Sequence, residues 1–307
     1  MHPRKTLVLL LSVSVAFALT GCAAPVTSLT EHTSEGRRTS GWVAADLDIY
    51  GGLGTWIDVY GPWKHIRSHV RKMQSNGVRT LYLETSSYKQ PRAILHPDAV
   101  GRYIEAAHAA GIEVVAWYNP SFRRLQRDWR RVQRAILFRS PQGQRFDSFA
   151  LDIEATVVPD IDRRNRRMLR LSDWIRGLVG PSYTLGAIIP DPTGSTYWLG
   201  FPYKRVDRRY DVWLPMSYFT YRAKGYHGVY RFVSANIRAI RRVTGDPRAP
   251  IHVIGGIAGV GSTREVRAFL RATGRAEAFG ASLYDFPLTT KTEWMSLKSM
   301  VAGITSR

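Results

Sequence analysis

Phe146–Glu154 reads Phe-Asp-Ser-Phe-Ala-Leu-Asp-Ile-Glu. Side chains of a β-strand alternate between its two faces, so Ser148, Ala150, Asp152 and Glu154 share one face. Phe149, Leu151 and Ile153 share the other, which suits packing against helices. The small and acidic face suits the inside of a closed sheet. Asp152 and Glu154 stand about 6–7 Å apart along such a strand. Two carboxylates that close do not both ionise freely, so one holds its proton to higher pH than usual. A carboxylic acid of that kind can protonate a leaving-group oxygen, which cleavage of a glycosidic bond requires. Glu154, at the outer position, is the expected acid. An Asp-x-Glu on a strand end also serves purely structural ion pairing, so its context matters.

That context is a series of eight short apolar runs: Thr55–Tyr60, Val78–Thr85, Ile112–Asn119, Phe146–Glu154, Tyr183–Ile189, Asp211–Tyr218, Ile251–Gly256 and Phe279–Asp285. Most are β-branched or aromatic, as buried strands are. Helical patterns separate them. Val100, Tyr103, Ile104 and Ala107 make one apolar stripe. Ser262 with Glu265, and Thr290 with Glu293, have capping-box spacing. Gly77 and Gly111 stand where a helix should stop before the next strand. Eight strand–helix units predict an α/β chain with a single (β/α)8 TIM barrel over residues 46–307. A doubly wound open sheet is the alternative, but no Gly-rich phosphate fingerprint accompanies it.

A barrel of this type carries its chemistry where strands end and βα loops begin. Asp58, Glu84, Tyr118, Asp152, Glu154, Asp191, Tyr218 and Asp285 stand at those points. Six of the 24 acidic residues therefore gather at one end, in a chain with 44 Lys and Arg. Aromatic residues accompany them: Trp117 and Tyr118 end the third run, and Tyr197, Trp198, Phe201 and Tyr203 follow the fifth. Aromatic faces beside carboxylates suit sugar rings, though loop aromatics also cap barrel cores. The candidate catalytic residues are Glu154, Asp152 and Tyr218. The candidate substrate-binding residues are Glu84, Trp117, Tyr118, Trp198, Met216, Asp285 and Asp58.

Composition removes other chemistries. The chain has 307 residues, 44% of them hydrophobic and 22% charged, which excludes a disordered chain. A lone Cys excludes an internal disulfide framework and a thiolate metal cluster. None of the eight His forms a His-x-x-x-His or His-x-His pair near a strand end. His252 opens its strand and belongs at the opposite face of the barrel. Metal catalysis lacks support and no cofactor is expected, although the carboxylates leave a bound Ca²⁺ open. No Gly-x-Ser-x-Gly elbow is present for serine hydrolysis.

The N-terminus is separate from the fold. Arg4 and Lys5 precede the uncharged apolar stretch Thr6–Leu19, the pattern of an export signal. Leu19-Thr20-Gly21-Cys22 resembles a bacterial lipobox. That resemblance implies a signal peptide at 1–21, a diacylated Cys22 as mature N-terminus and attachment to the outer face of the cell membrane. Residues 22–45 are rich in Ala, Ser, Thr and Glu and are expected to form a flexible tether. The formal charge is +20, or +18 without the two basic residues of the leader. Arginines crowd Arg123–Arg134 and Arg163–Arg170, mostly as a solvated face whose field attracts polyanions. For an exported lipoprotein the expected anionic partners are lipid headgroups or acidic wall polymers, with no nucleic acid.

The Phe146–Glu154 segment resembles the fourth-strand signature of glycoside hydrolase family eighteen, the chitinase family, Asp-x-x-Asp-x-Asp-x-Glu. Asp147, Asp152 and Glu154 match, and Ala150 takes the place of the second Asp. Leu214–Phe219 is similar to that family's Met-x-Tyr-Asp, with Phe219 in place of the Asp. The eighth run ends in Leu283-Tyr284-Asp285, without the family's Trp. The resemblance implies Glu154 as acid/base, Asp152 orienting the substrate's own acetamido group as nucleophile, and Tyr218 hydrogen-bonding that group. Leu151–Glu154 also resembles the Asp-x-Glu strand of family-twenty-five lysozymes, which cut peptidoglycan. The Arg-rich sequence as a whole resembles a group of actinobacterial lipoproteins with glycosidase-like barrels. Two function classes follow. One is a surface-anchored glycoside hydrolase of wall or environmental polysaccharide. The other is a non-catalytic glycan-binding barrel with an eroded site. A solute-binding lipoprotein, which needs two lobes, fits less well.

Overall fold

The computed structural model describes residues 46–304. The expected leader at 1–21, Cys22 and the tether at 22–45 lie outside the described residues. Eight parallel strands close into a barrel in sequence order. They are β1 (Gly52–Ile57), β2 (Thr80–Ser87), β3 (Glu113–Asn119), β4 (Ser148–Asp152), β5 (Leu185–Pro190), β6 (Val212–Met216), β7 (His252–Ile257) and β8 (Gly280–Tyr284). The helices between and after them are α1 (Ile66–Ser75), α2 (Pro97–Ala109), α3 (Leu125–Ile136), α4 (Ile161–Val179), α5 (Tyr203–Asp207), α6 (Phe219–Arg222), α7 (Gly225–Thr244), α8 (Thr263–Arg275) and α9 (Lys291–Ile304). Pairing of Gly52 with Gly280 through Thr55 with Leu283 closes the ring between β1 and β8. This is the (β/α)8 barrel that the spacing of the runs predicts. No helix among the described residues is long and apolar enough to cross a membrane.

Each apolar run holds one strand, with two instructive shifts. β1 starts three residues earlier than its run because Gly52 and Gly54 have low strand propensity and read as loop. It ends earlier because Asp58 Oδ1 accepts from the Tyr60 amide at 2.8 Å, turning the chain. β4 stops at Asp152, so Glu154 sits just past the strand. The predicted helix punctuation is present. Ser262 and Glu265 form a capping box at α8. Thr290 Oγ1 accepts from the Glu293 amide at 3.3 Å, and Glu293 Oε2 accepts from the Thr290 amide at 2.8 Å. Gly77 and Gly111 take the left-handed φ of 76° and 70° that turn the chain into β2 and β3.

Alternation divides the core into two layers. Leu53, Leu81, Leu83, Phe149 and Leu151 face outward and pack with helix residues such as Val100, Tyr103 and Ile104. Trp56, Tyr82, Val115, Trp117, Ala150, Leu214 and Ile254 form a separate cluster inside the barrel. Trp56 stacks on Tyr82 with ring centroids 4.1 Å apart. The lower end is filled by Tyr50, whose hydroxyl lies 2.7 Å from Ser148 Oγ, and by His252. His252 donates from Nδ1 to the Tyr50 carbonyl at 2.9 Å, and its Nε2 lies 3.0 Å from Ser282 Oγ. It thus stands at the end opposite the site, and burial pushes its pKa down to about 4.

Glycines make room for these large rings. A Cβ on Gly54 would lie 2.6 Å from Tyr82 Cε2 and 2.8 Å from His252 Cε1. Neither ring can retreat inside a closed, filled barrel. Gly54→Ala is therefore expected to destabilise the fold by about 1–3 kcal/mol, the usual cost of overpacking. A lower urea midpoint with unchanged m-value checks this; an unaltered midpoint would show that the interior yields.

Candidate active site

The inward rows all emerge at one end of the barrel. On β1 the row runs Gly54, Trp56 and then Asp58; on β2 it runs Tyr82 and then Glu84; on β3 it runs Trp117 and then Asn119; on β4 it runs Ala150 and then Asp152. Tyr218 follows β6, and Tyr284 closes β8. Parallel strands in one ring have all their C-terminal ends on the same side, so topology alone assembles these residues.

Asn119 organises the centre. Its Nδ2 donates to Asp152 Oδ2 at 2.9 Å and to Glu154 Oε1 at 2.7 Å. One amide thus holds both carboxylates of the Asp-x-Glu segment. Asp152 is pushed well above the usual carboxylate range by burial, then by the charges of Glu154 and Glu84. Glu154 is pushed up by burial, against the Asn119 hydrogen bond and the charge of Lys89. Glu84 is pushed well up by burial and, less strongly, by the charges of Asp58 and Glu154, although its Oε2 accepts from the Val59 amide at 2.9 Å. Asp58 accepts from the Tyr284 hydroxyl at 3.1 Å. The mouth is therefore a connected acidic cluster in which proton sharing is enforced by like charge and low solvation.

Polar atoms aim into this space. Trp117 Nε1, Asn119 Oδ1, Asp152 Oδ1 and Asp285 Oδ1 are buried with no hydrogen-bond partner in the protein. Buried polar atoms left unpaired are costly, so a ligand with hydroxyl or amide groups would relieve them. Tyr218 is fully inside the same field: burial, then the charges of Glu154 and Asp152, push its hydroxyl pKa well up. Its ring lies 6.4 Å from that of Tyr284. Met216 lies beneath it in the interior cluster.

Among the residues singled out from sequence, Glu154, Asp152, Tyr218, Glu84, Trp117, Met216, Asp58 and Asp285 are thus brought to one end. Tyr118 is not. Alternation allows only one of Trp117 and Tyr118 to face inward, and Tyr118 packs in the helix layer with its hydroxyl on Asp128 Oδ1 at 2.7 Å. Trp198 is also turned away. It is buried against Phe122 and Phe201, and its Nε1 donates to Asn165 Oδ1 at 2.8 Å. Phe201 and Tyr203 join the same outer packing, so of that loop Tyr197 is the ring that reaches the field of Glu154 and Asp152. Asp191 folds back onto the Gly194 amide and lies 3.4 Å from Arg222 Nε. Asp147, which matches the chitinase pattern, sits before β4 and accepts from the Val114 amide at 2.7 Å, with His108 Nε2 at 2.8 Å. It is a strut at the other end of the strand.

Asn119 and Tyr284 are the site residues that the sequence reading left out. The signal for Asn119 was present: two positions after Trp117, it must share the inward face.

Asp285 offers a pH test. Burial, then the charge of Asp58, pushes its pKa up to about 7. The native state binds this proton more tightly than the unfolded chain, whose Asp titrates near ~3.9. Between about pH 4 and pH 7 the folded state therefore loses relative stability as pH rises, and the loss levels off above that range. Asp285→Asn stays neutral throughout. Its melting temperature should gain on the wild type from pH 4 to pH 7.5; a gap that stays constant would show that Asp285 ionises normally.

The fold is shared with solved glycosidases. The chain is similar to an endo-β-1,4-mannanase from Thermotoga petrophila, with TM-score 0.64, 11% identity, and coverage of 85% of this chain and 77% of that one. It is similar to a GH18 chitinase from Cycas revoluta in complex with (GlcNAc)3, with TM-score 0.60, 9% identity, and coverage of 81% and 99%. It is also similar to the spore cortex-lytic enzyme SleL of Bacillus cereus, with TM-score 0.59, 9% identity, and coverage of 80% and 73%. No protein-family model and no curated protein matches the sequence. At these identities the likeness is one of fold: the protein is a (β/α)8 TIM barrel.

Proposed function

We propose that the protein is a surface-anchored glycoside hydrolase acting on cell-wall or environmental polysaccharide by carboxylate acid/base chemistry. The observation that carries this reading is the Asn119 amide bound to both Asp152 and Glu154 at the barrel mouth. Glu154, the outer carboxyl, gives its proton to the glycosidic oxygen as the C1–O bond breaks. The carboxylate that remains keeps its Asn119 hydrogen bond. Asp152 lies below, where a negative charge stabilises the cationic sugar. Water, or first the substrate's own acetamido oxygen, completes the substitution at C1, and Glu154 recovers a proton from the attacking water. Tyr218 and Trp117 supply O–H and N–H donors to substrate oxygens. The mannanase, chitinase and cortex-lytic neighbours, one of them bound to (GlcNAc)3, support a polysaccharide substrate. Turnover of chitin oligosaccharides, peptidoglycan fragments and neutral glucans by the purified protein tests this; inactivity on all three classes would count against it.

Two departures favour a second reading, a glycan-binding barrel without turnover. Ala150 offers no carboxylate in the interior beside Trp117. Phe219 is 1% exposed and packs on Phe269, so nothing acidic accompanies Tyr218 from that position. Sugar binding without hydrolysis would select this reading.

Anchoring belongs to the same proposal. The lipobox-like Leu19–Cys22 carries the chain's one thiol, and its modification would place the barrel outside the cell on a lipid anchor. Cys22→Ser should release the protein from the membrane fraction or stall removal of the leader. Unchanged detergent-phase partitioning of the variant would sink the idea.

A further inference from the structure

The arginines crowded on α3 and α4 do not form a uniform solvated face. Arg124, Arg127, Arg130, Arg167 and Arg170 converge with Trp174 on one groove of about 460 Å³ between the two helices. The helical periods explain the convergence. Arg127 and Arg130 are i, i+3 on α3, while Arg167, Arg170 and Trp174 are i, i+3, i+7 on α4, so each set lies on one flank. Over seven residues the α4 row extends about 10 Å.

These charges are placed but not neutralised. Among the described residues none of the five arginines takes part in an ion pair within 4.0 Å. Asp173, an acid on the lower continuation of the groove, is already held by Arg209 at 2.6 Å. Several of the guanidinium groups are fixed by other means. Arg127 donates to the Gln90 carbonyl at 3.0 Å. Arg167 donates to the Phe122 carbonyl, and to the Arg123 carbonyl at 2.9 Å. Arg170 lies over the Trp174 ring, 5.2 Å from its centroid. A guanidinium that bonds neutral carbonyls keeps its full charge, and one held in place loses little entropy on meeting an anion. Five charges around one concavity, three of them held in place, focus a positive field.

We propose that this α3–α4 groove binds an anionic polysaccharide, one that carries repeated carboxylate or phosphate groups. The charge of the ligand follows from the groove itself. The choice of a glycan rests on the reading of the barrel mouth. Arg167 grips the loop at Phe122 and Arg123, and that loop begins just after Asn119, the residue that holds Asp152 and Glu154. The groove therefore reaches the loop that leaves the barrel mouth at Asn119, the direction in which a glycan held at Glu154 would extend. A nucleic acid fits less well, because Arg170 covers the Trp174 face on which a base would stack. A flat membrane fits less well, because the charges line a concavity.

The test is binding, not turnover, so it stands or falls apart from catalysis. The full chain, carried in a nonionic detergent, is titrated with polygalacturonate, neutral dextran, single-stranded oligodeoxynucleotide and phosphatidylglycerol vesicles. Arg124→Ala, Arg130→Ala and Arg170→Ala are combined in one variant, leaving Arg127 and Arg167 to hold their loops. Arg231→Ala, Arg238→Ala and Arg242→Ala, on the exposed side of α7, remove the same charge elsewhere. The wild type should bind polygalacturonate and not dextran. The groove variant should lose at least tenfold in affinity at low salt, and the slope of log K against log salt should flatten by about 2, as loss of two to three contacts to a polyanion implies. The α7 variant should lose less than threefold. Equal losses in the two variants would reduce the effect to net charge and overturn the proposal. So would tighter groove-dependent binding of the oligonucleotide or the vesicles, or no wild-type binding of polygalacturonate. Because binding is read without turnover, an inactive mouth and an empty groove are separate outcomes.

Discussion

Glu154→Gln should lower glycan turnover by about 10² to 10⁴, the usual contribution of a positioned general acid, and leave sugar binding within a few-fold. Glutamine keeps the size of the side chain and can still meet Asn119, but it has no proton to give. Glu154 lies past the end of β4, so the barrel core is untouched by the change. The substitution should also stabilise the mouth slightly, because it removes one member of a crowded acidic cluster. The measurement is kcat on a substrate that the wild type cleaves, alongside Kd for the same glycan. Full activity in the variant would transfer the acid role to Glu84 or Asp285 across the mouth. Retained activity here with loss in Asp152→Asn would give that role to Asp152, which burial and two neighbouring carboxylates displace well upward.

Asp152→Asn is expected to cost about 10²-fold or more in rate, because a charge aimed at a cationic transition state in a dry site is worth several kcal/mol. The pH profile separates the two parts that Asp152 could play. The charge of Glu154 helps to hold the Asp152 proton above the usual range, whereas burial raises Glu154. With Asp152 neutral, Glu154 should keep its pKa, so kcat/KM should fall while the basic limb of its pH profile stays in place. A basic limb that moves to lower pH would show that the charge of Asp152 tunes Glu154.

Local rules determine much of this protein. The eight apolar runs are each long enough for one strand, and their spacing leaves room for at least one helix, which favours a closed parallel barrel over a doubly wound open sheet. Alternation along Phe146–Glu154 correctly separated the outward Phe149, Leu151 and Ile153 from the inward Ala150 and Asp152. Helix caps at Ser262 and Thr290 and the left-handed glycines at 77 and 111 are also local, since a cap or a positive φ depends on a few neighbouring residues.

What only the tertiary structure decided is which polar groups from different strands meet. Asn119 and Glu154 are 35 positions apart, and nothing within either segment says that one amide will serve both carboxylates. Tyr118 and Trp198 carry the right chemistry for a sugar, yet in the helix layer their hydroxyl and indole N–H are taken up by Asp128 and Asn165. The arginines of α3 and α4 have the same character: their number is visible in the sequence, but only helix packing sets five of them around one groove without acidic partners. Periodicity acts over a few residues and is written in the chain. Pairing across the barrel depends on closure, register and the space left by other side chains, so it exists only once the whole ring has formed.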